Sequence, residues 1–364
     1  MKRLECLDGL RGVLAVYVML SHMAPFAVLP GWLASLLSHG GAAVDVFFIL
    51  SGLVIVRSLE GFGYRARPFL IARVVRIYPV FLAMFVFAVA VQLVPAGFEH
   101  MPWIGASSPA RDIWSQGWPR DWVGVIAAHL TMTHGMVPNG ISEDVWVGFL
   151  GAAWSLSTEW QFYVLMVLLG RRFGGTPWPL LGLAVAGVAW GSWAPDEWQF
   201  SRAFLPNKAG YFALGVSSAG LVRSSGGVQR YIVALAVVLA MGWFHGGFGK
   251  LLPPMVWTLC LGAEFYRALP LVGCVLRSGP AQWLGGLSYS LYLANEPVQK
   301  LLGVALASLA DGDGRIFTLL WLPGAAGLPL ALAILLRKWV EMPALLWLRR
   351  KPVHLPERPL YGDG

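Results

Sequence analysis

One apolar segment near the start of the chain carries an arginine and a histidine at a spacing that places both on one helix face. Arg11 and His22 are eleven residues apart within the apolar stretch 10–29. Eleven residues make about three turns of α-helix, so the two side chains lie on the same side, about 16 Å apart along the axis. Because ionisable groups inside a membrane span are costly, the pair indicates a functional site facing the bundle interior. The alternative is that Arg11 anchors the span at the lipid headgroups and His22 is a buried histidine without a catalytic role.

A second motif contains two arginines just before another apolar segment. Arg73 and Arg76 are three residues apart, so they share a face of the helix that enters the membrane after them. Two guanidinium groups held side by side suit a phosphate or pyrophosphate, because arginine presents its donors as a fixed fork. The alternative is an anchor at the lipid headgroups.

A third motif places polar side chains at membrane depth. Ser155, Glu159 and Tyr163 are spaced four residues apart and therefore lie along one helix face. A buried carboxylate such as that of Glu159 needs a partner. We expect Glu159 to act as an acid, a base or an orienting group beside His22. The alternative is that it pairs with an arginine and only ties helices together.

Weaker signals come from three further places. Asp45 begins the second apolar span, where it could pair with a cation or hydrogen-bond a sugar hydroxyl. Asn295 precedes Glu296 and Pro297, a pattern that favours either a broken helix lining a site or a plain kink. Glu341 is expected to neutralise a basic neighbour, and Pro343 to end the last helix.

The elements that position these residues are predicted to be membrane-spanning helices. Hydrophobic residues make up 57% of the chain, charged residues only 13%, and the mean hydropathy is +0.63. This composition is typical of an all-α, polytopic integral membrane bundle. We interpret the first apolar stretch as a retained span rather than a signal peptide. Ten spans are predicted, at 12–30, 44–58, 78–95, 148–169, 178–193, 207–222, 230–246, 253–267, 283–305 and 317–337.

The distribution of basic residues predicts the orientation. With both termini in the cytoplasm, 20 of the 27 lysines and arginines lie on the cytoplasmic side, as the positive-inside rule requires. Segment 96–147 is then an outer loop, in which 122–132 forms an interfacial or re-entrant helix instead of an eleventh span. We expect the inner (cytoplasmic) membrane of a bacterium, with a membrane domain at 1–345 and a cytoplasmic tail at 346–364.

Charge and cysteine content argue against several other functions. The net charge of +8 follows from the topology and from attraction to the cytoplasmic leaflet, so it does not indicate a nucleic-acid partner. The three cysteines are widely spaced and match neither a disulfide framework nor a zinc site, so we expect no metal.

Taken together, the motifs of this chain resemble those of the membrane-bound acyltransferase-3 family, the O-acyltransferases of bacterial surface glycans and related substrates. Five motifs occur in the same order and spacing from Leu7 to about Pro343. Where this family usually has a histidine, the chain has Asn295. The five motifs are Leu7-Asp8-Gly9-Leu10-Arg11-Gly12 with His22, Asp45-Val46-Phe47-Phe48-Ile49-Leu50-Ser51-Gly52, Arg73-Val74-Val75-Arg76-Ile77-Tyr78-Pro79, Trp154-Ser155-Leu156-Ser157-Thr158-Glu159 with Phe162-Tyr163, and Leu287-Ser288-Tyr289-Ser290-Leu291-Tyr292-Leu293.

The resemblance implies ten spans and transfer of an acyl group from cytoplasmic acyl-CoA, for which we favour acetyl-CoA, to a hydroxyl. The acceptor would be a cell-surface or lipid-linked carbohydrate, or a related compound. Arg73 and Arg76, with Arg11, would hold the phosphates of the donor. His22 would be the general base or an acyl carrier, oriented by Glu159. The residues expected to contact substrate are Asp45, Ser155, Tyr163 and Asn295.

A transporter or flippase of a lipid-linked glycan would also need ten spans and intramembrane charges. A processive glycosyltransferase is a further alternative. Release of CoA from acetyl-CoA separates the acyltransferase from the transporter. The sequence does not predict an oligomeric state.

Overall fold

The protein is a bundle of α-helices. The computed structural model describes residues 4–108, 111, 114, 117–142, 144–173, 175–221, 225–266 and 269–350, and no β-strand occurs among them. The helices used below are α1 (Glu5–Met23), α2 (Gly31–Leu37), α3 (Gly40–Gly61), α4 (Ala66–Val91), α5 (Trp122–Leu130), α6 (Trp154–Phe173), α7 (Trp178–Trp193), α8 (Ala209–Leu221), α9 (Ser225–Gly246), α10 (Leu252–Phe265), α11 (Pro270–Leu276), α12 (Gly279–Ala310), α13 (Gly314–Leu336) and α14 (Met342–Arg350).

Each predicted span coincides with a helix, but the number of membrane crossings stays a prediction. Within the described residues, five helical segments are long and apolar enough to cross a membrane, or six if α10 and α11 form one span. These segments contain α1, α3, α4, α9 and α13. Helices α6 and α12 are long enough to cross a membrane, but they contain polar residues that make them less apolar than these five segments. The tail is described only to Arg350, and Lys2, Arg3, Arg223 and Arg267 also lie outside the described residues.

The loop predicted at 96–147 contains the short helix α5. Helix α5 has nine residues and therefore a length of about 13.5 Å, less than half of a hydrocarbon core. Trp122, Val123 and Leu130 are exposed on it. This geometry fits the predicted interfacial helix.

The helix that carries Asn295 and Glu296 is continuous. Helix α12 runs for 32 residues, and Pro297 lies inside it. The broken helix considered from the sequence is therefore wrong. Proline removes one backbone donor, and the helical turns on either side of Pro297 maintain the helix.

Two helix pairs bring the site together. Helix α1 packs along α12, which also packs along α13, while α3 packs along α8. Gly52 on α3 and Gly215 on α8 allow the second contact, because an added Cβ at Gly215 would overlap the carbonyl oxygen of Ile49. Small residues at such positions let two helices approach closely.

Candidate active site

Helices α1 and α12 run in the same direction with their backbones in contact. An added Cβ at Gly12 would lie 2.5 Å from the amide nitrogen of Gly285, and one at Gly285 would overlap the carbonyl of Asp8. Close approach of this kind requires glycine. The contact fixes the residues of α1 relative to those of α12 along the whole site.

A cavity of about 120 Å³ lies between α1, α3, α4, α6 and α12. The structure thus brings together residues from widely separated parts of the chain. Ser288, Tyr289 and Tyr292 of α12 complete its polar wall. The predicted site residues that line this cavity are Arg11, Arg73, Arg76, Ser155, Glu159 and Tyr163.

The arginines of α4 are held by contacts on both sides of the cavity. Arg73 donates a hydrogen bond to Ser58, and its guanidinium lies over the rings of Phe69 and Tyr163, at 5.2 and 5.8 Å. Arg76 forms an ion pair with Glu341, a residue that is only 3% exposed. A guanidinium presents its five donors as a fixed fork, which suits an anion that enters the cavity.

Glu159 belongs to this cavity and not to His22. The hydroxyl of Tyr163 donates to its carboxylate at 2.8 Å, and Ser51 also hydrogen-bonds to it. Arg11 and Arg73 are its charged neighbours. The predicted orienting contact from Glu159 to His22 is wrong. The i,i+4 spacing correctly places Glu159 on one face of α6 with Ser155 and Tyr163, but this face lies toward the arginines of the cavity.

Tyr292 marks one end of the cavity wall. Its hydroxyl hydrogen-bonds to Ser155 at 2.9 Å, and its ring lies 6.2 Å from that of Phe47. All three residues line the cavity. Asn295 follows Tyr292 by three residues, about 4.5 Å farther along α12.

His22 pairs with Asn295 at this point. Its Nδ1 lies 2.6 Å from Oδ1 of Asn295, which is completely buried. His22 does not line the cavity itself. The structure therefore separates an arginine-lined cavity from an imidazole about one helical turn beyond Tyr292.

Asp45 lies in a different place and has a different partner. Its carboxylate contacts Nζ of Lys208 at 2.5 Å and Nζ of Lys250 at 3.7 Å. Lys208 is buried and lies over the rings of Trp154 and Tyr211. Of the two roles considered for Asp45, pairing with a cation is the one the structure contains.

The end of the last long helix brings Glu341 to Arg76, one of the arginines that line the cavity. Residues Arg337–Glu341 form a π-helical turn, after which α14 continues through Pro343. The prediction that Pro343 ends the helix is therefore wrong, because proline is tolerated in the first turn of α14. Glu341 accepts from Arg76 and, at 2.9 Å, from Ser290. It neutralises a basic residue, as predicted, although that residue comes from α4.

Two histidines of the loop at 96–147 are buried away from the cavity. The rings of His129 and His134 stack in parallel with their centroids 4.0 Å apart, and each bonds to a backbone carbonyl, of Val125 and Ala153 respectively. Burial lowers the pKa of His134 to about 4 and lowers the pKa of His129 well below its usual range. Both rings are neutral structural elements near pH 7.

Comparison with known proteins identifies the family. The profile of the Acyl_transf_3 family, described as an acyltransferase domain, matches residues 4–338. This chain belongs to that family. It is a membrane acyltransferase, and the cavity described above lies within the matched region.

Two relatives agree with this assignment. A putative membrane-bound transacylase, BcsY of Komagataeibacter xylinus, is 28% identical over 80% of this chain and 72% of its own length. The acyltransferase MdmB of Streptomyces mycarofaciens is 26% identical over the full chain and 97% of its own length. No solved structure matches this chain significantly.

Sequence reasoning missed two tyrosines of α12 that line the cavity and the lysine that pairs with Asp45. Tyr289 and Tyr292 stand in a recognised motif but were assigned no role, and Lys208 was not singled out. The signal for Lys208 was a lysine at the start of the apolar segment 207–222. Its pairing with Asp45 could not be read from local spacing, since the two lie 163 residues apart.

Proposed function

We propose that this acyltransferase moves an acetyl group from acetyl-CoA to a hydroxyl of a cell-surface or lipid-linked carbohydrate. The enzyme would lie in the inner membrane with both termini in the cytoplasm, and the donor would enter from that side. The observation that carries the proposal is the arginine-lined cavity followed by the His22–Asn295 pair.

The charge of the cavity supports an anionic donor. Three guanidinium groups, of Arg11, Arg73 and Arg76, line the cavity with the carboxylate of Glu159, while Glu341 pairs with Arg76 from outside the lining. The surplus positive charge and the fork geometry of arginine favour a phosphate-bearing ligand. Sites for whole drug-sized ligands measure about 300–1,000 Å³, so this cavity would accommodate one part of acetyl-CoA, with the remainder outside.

The position of the imidazole supports its role in the transfer. In the proposed step, a ring nitrogen of His22 takes the proton of the acceptor hydroxyl while the oxygen attacks the thioester carbonyl. The carbon–sulfur bond breaks, and the leaving thiolate of CoA takes the proton from the imidazolium. In the alternative route the ring nitrogen attacks the thioester first, releasing CoA, and the acceptor hydroxyl then attacks the acyl-imidazole.

An assay with labelled donor tests this function. Membranes containing the protein are incubated with radiolabelled acetyl-CoA and the glycan fraction of the host. We expect release of CoA and label in the glycan, and both should be lost in His22→Ala at equal expression, because the change removes chemistry and not packing. A transporter or flippase would release no CoA. Wild-type transfer by the His22→Ala variant would rule out the role of His22.

Thiol labelling tests the topology on which the donor side depends. Single cysteines replace Arg65, Ser107 and Ile141, all exposed, in a background in which the three native cysteines are replaced. An impermeant thiol reagent on intact cells should label positions 107 and 141 but not 65. Labelling of 141 only after permeabilisation would mean that 122–132 spans the membrane and that later loops are inverted.

A further inference from the structure

The amide of Asn295 makes three hydrogen bonds that determine which way it faces. Its Nδ2 donates to the backbone carbonyls of Leu291, at 3.3 Å, and Tyr292, at 2.6 Å. Carbonyl oxygens accept and cannot donate, so the nitrogen of the amide must face them. The oxygen of Asn295 is thereby directed at Nδ1 of His22, 2.6 Å away.

This orientation selects one tautomer of His22. An amide oxygen can only accept, so Nδ1 of His22 must carry the hydrogen. In the neutral imidazole the proton-accepting lone pair is then on Nε2. Asn295 is 0% exposed, so no water competes for this hydrogen bond.

We infer that Asn295 is a positioning residue that holds His22 as the Nδ1–H tautomer and presents Nε2 to the reacting groups. The inference rests on the proposed function, because it assigns Nε2 as the atom that receives the proton or the acyl group. It also explains how asparagine can occupy the position of the histidine expected from the family resemblance. One donor and one acceptor are needed there, and a neutral imidazole supplies both.

If Asn295 had a purely structural role, replacing it would have the same effect as replacing another buried amide of α12. The same helix contains such an amide, which serves as the control. Gln299 is a second buried amide on α12, 1% exposed, that donates to the carbonyls of Met19 and Ala325 at 3.2 and 3.1 Å. It ties α12 to α1 and α13 without contacting His22. Loss of either amide removes buried hydrogen bonds of α12, including one to α1, but only Asn295 orients the imidazole.

The experiment compares Asn295→Leu, Asn295→His and Gln299→Leu by kcat and by KM for acetyl-CoA, per folded protein. We expect Asn295→Leu to lower kcat about 10- to 100-fold with KM within about twofold, the range seen when an orienting partner is removed. Asn295→His should recover most of this loss, and Gln299→Leu should keep the wild-type kcat. Equal loss of kcat in the two leucine variants, or a wild-type kcat in Asn295→Leu, would overturn the inference.

A tautomer measurement separates this inference from the function itself. Nitrogen NMR of histidine-labelled protein, with the His22 signal assigned by its loss in His22→Gln, should show Nε2 unprotonated in the wild type and in Gln299→Leu. Asn295→Leu should show a mixture of tautomers. Another tautomer in the wild type would refute the positioning role, whereas activity retained in His22→Ala would refute the proposed function.

Discussion

Two groups of buried charges in this bundle use similar residues but surround different spaces. Around the cavity of about 120 Å³, arginines from α1 and α4 lie near the carboxylate of Glu159 on α6, and the π-helical turn supplies a partner for Arg76. Between α3 and the start of α8, Asp45 and Lys208 meet directly at 2.5 Å, and both are more than 90% buried.

The comparison shows that buried charge alone does not identify a ligand site. In the first group three arginines and Glu159 line an open space, so a ligand can reach their side chains. In the second group Lys208 contacts Asp45 directly, without a space between them. We therefore propose donor binding for the first group and, for the second, a role in holding helices together.

Breaking the Asp45–Lys208 pair should give the largest effect on stability. Asp45→Asn leaves the buried ammonium of Lys208 without its closest carboxylate, which typically costs about 3–5 kcal/mol. We expect a strong fall in the yield and melting temperature of detergent-purified protein. Combining Asp45→Asn with Lys208→Met should recover most of the loss, because the uncompensated charge is gone. A change in KM for acetyl-CoA at unchanged stability would instead make this pair part of a ligand site.

Acid should weaken the loop at 96–147 through the two stacked histidines. The pKa of His134 is about 4 in the folded protein and near 6.5 without burial, so the unfolded chain binds the proton first. Stability is therefore full above about pH 6.5 and falls as the pH drops towards 4, by about 3 kcal/mol in total. Melting temperatures between pH 7 and 4 measure this slope. His134→Gln should flatten it, whereas His100→Gln, at an exposed position, should leave it unchanged.

Filling the glycine contact between α3 and α8 should give a smaller loss of stability. Gly215→Ala places a methyl group against the backbone of Ile49, and overpacking of this kind costs about 1–3 kcal/mol. The matched control on the same helix is Gly220→Ala, whose added Cβ would meet its nearest atom at an ordinary 3.5 Å. Equal melting temperatures for the two variants would show that the contact is looser than described.

Replacing Arg76 by lysine should affect the affinity for acetyl-CoA more than the stability of the protein. Arg76→Lys keeps the positive charge beside Glu341 but loses the paired donors, so we expect KM for acetyl-CoA to rise about tenfold, roughly 1.4 kcal/mol. Arg337→Lys is the control, because Arg337 donates to the carbonyl of Gly286 and does not line the cavity. A similar KM for both variants would remove Arg76 from the donor site.

Local spacing predicted which side chains face the interior, but not which of them meet. Charged residues inside apolar segments identified Arg11 and Glu159, and helical periodicity placed Ser155 and Tyr163 beside Glu159, as the structure has them. The partners of His22 and Asp45 come from segments 273 and 163 residues away, and no periodicity relates such segments. The proline signals at 297 and 343 failed because packing within the bundle maintains helices that an isolated segment would interrupt.

The π-helical turn at Arg337–Glu341 determines how this part of the site responds to a change in the length of the helix. A π-helical turn corresponds to one extra residue in an α-helix. The wide turn takes up this residue, so Glu341 keeps the direction toward Arg76 and Ser290 that a side chain would have in a regular helix one residue shorter. The turn can therefore gain or lose one residue while the two contacts of its acidic side chain and the register of every other helix are kept.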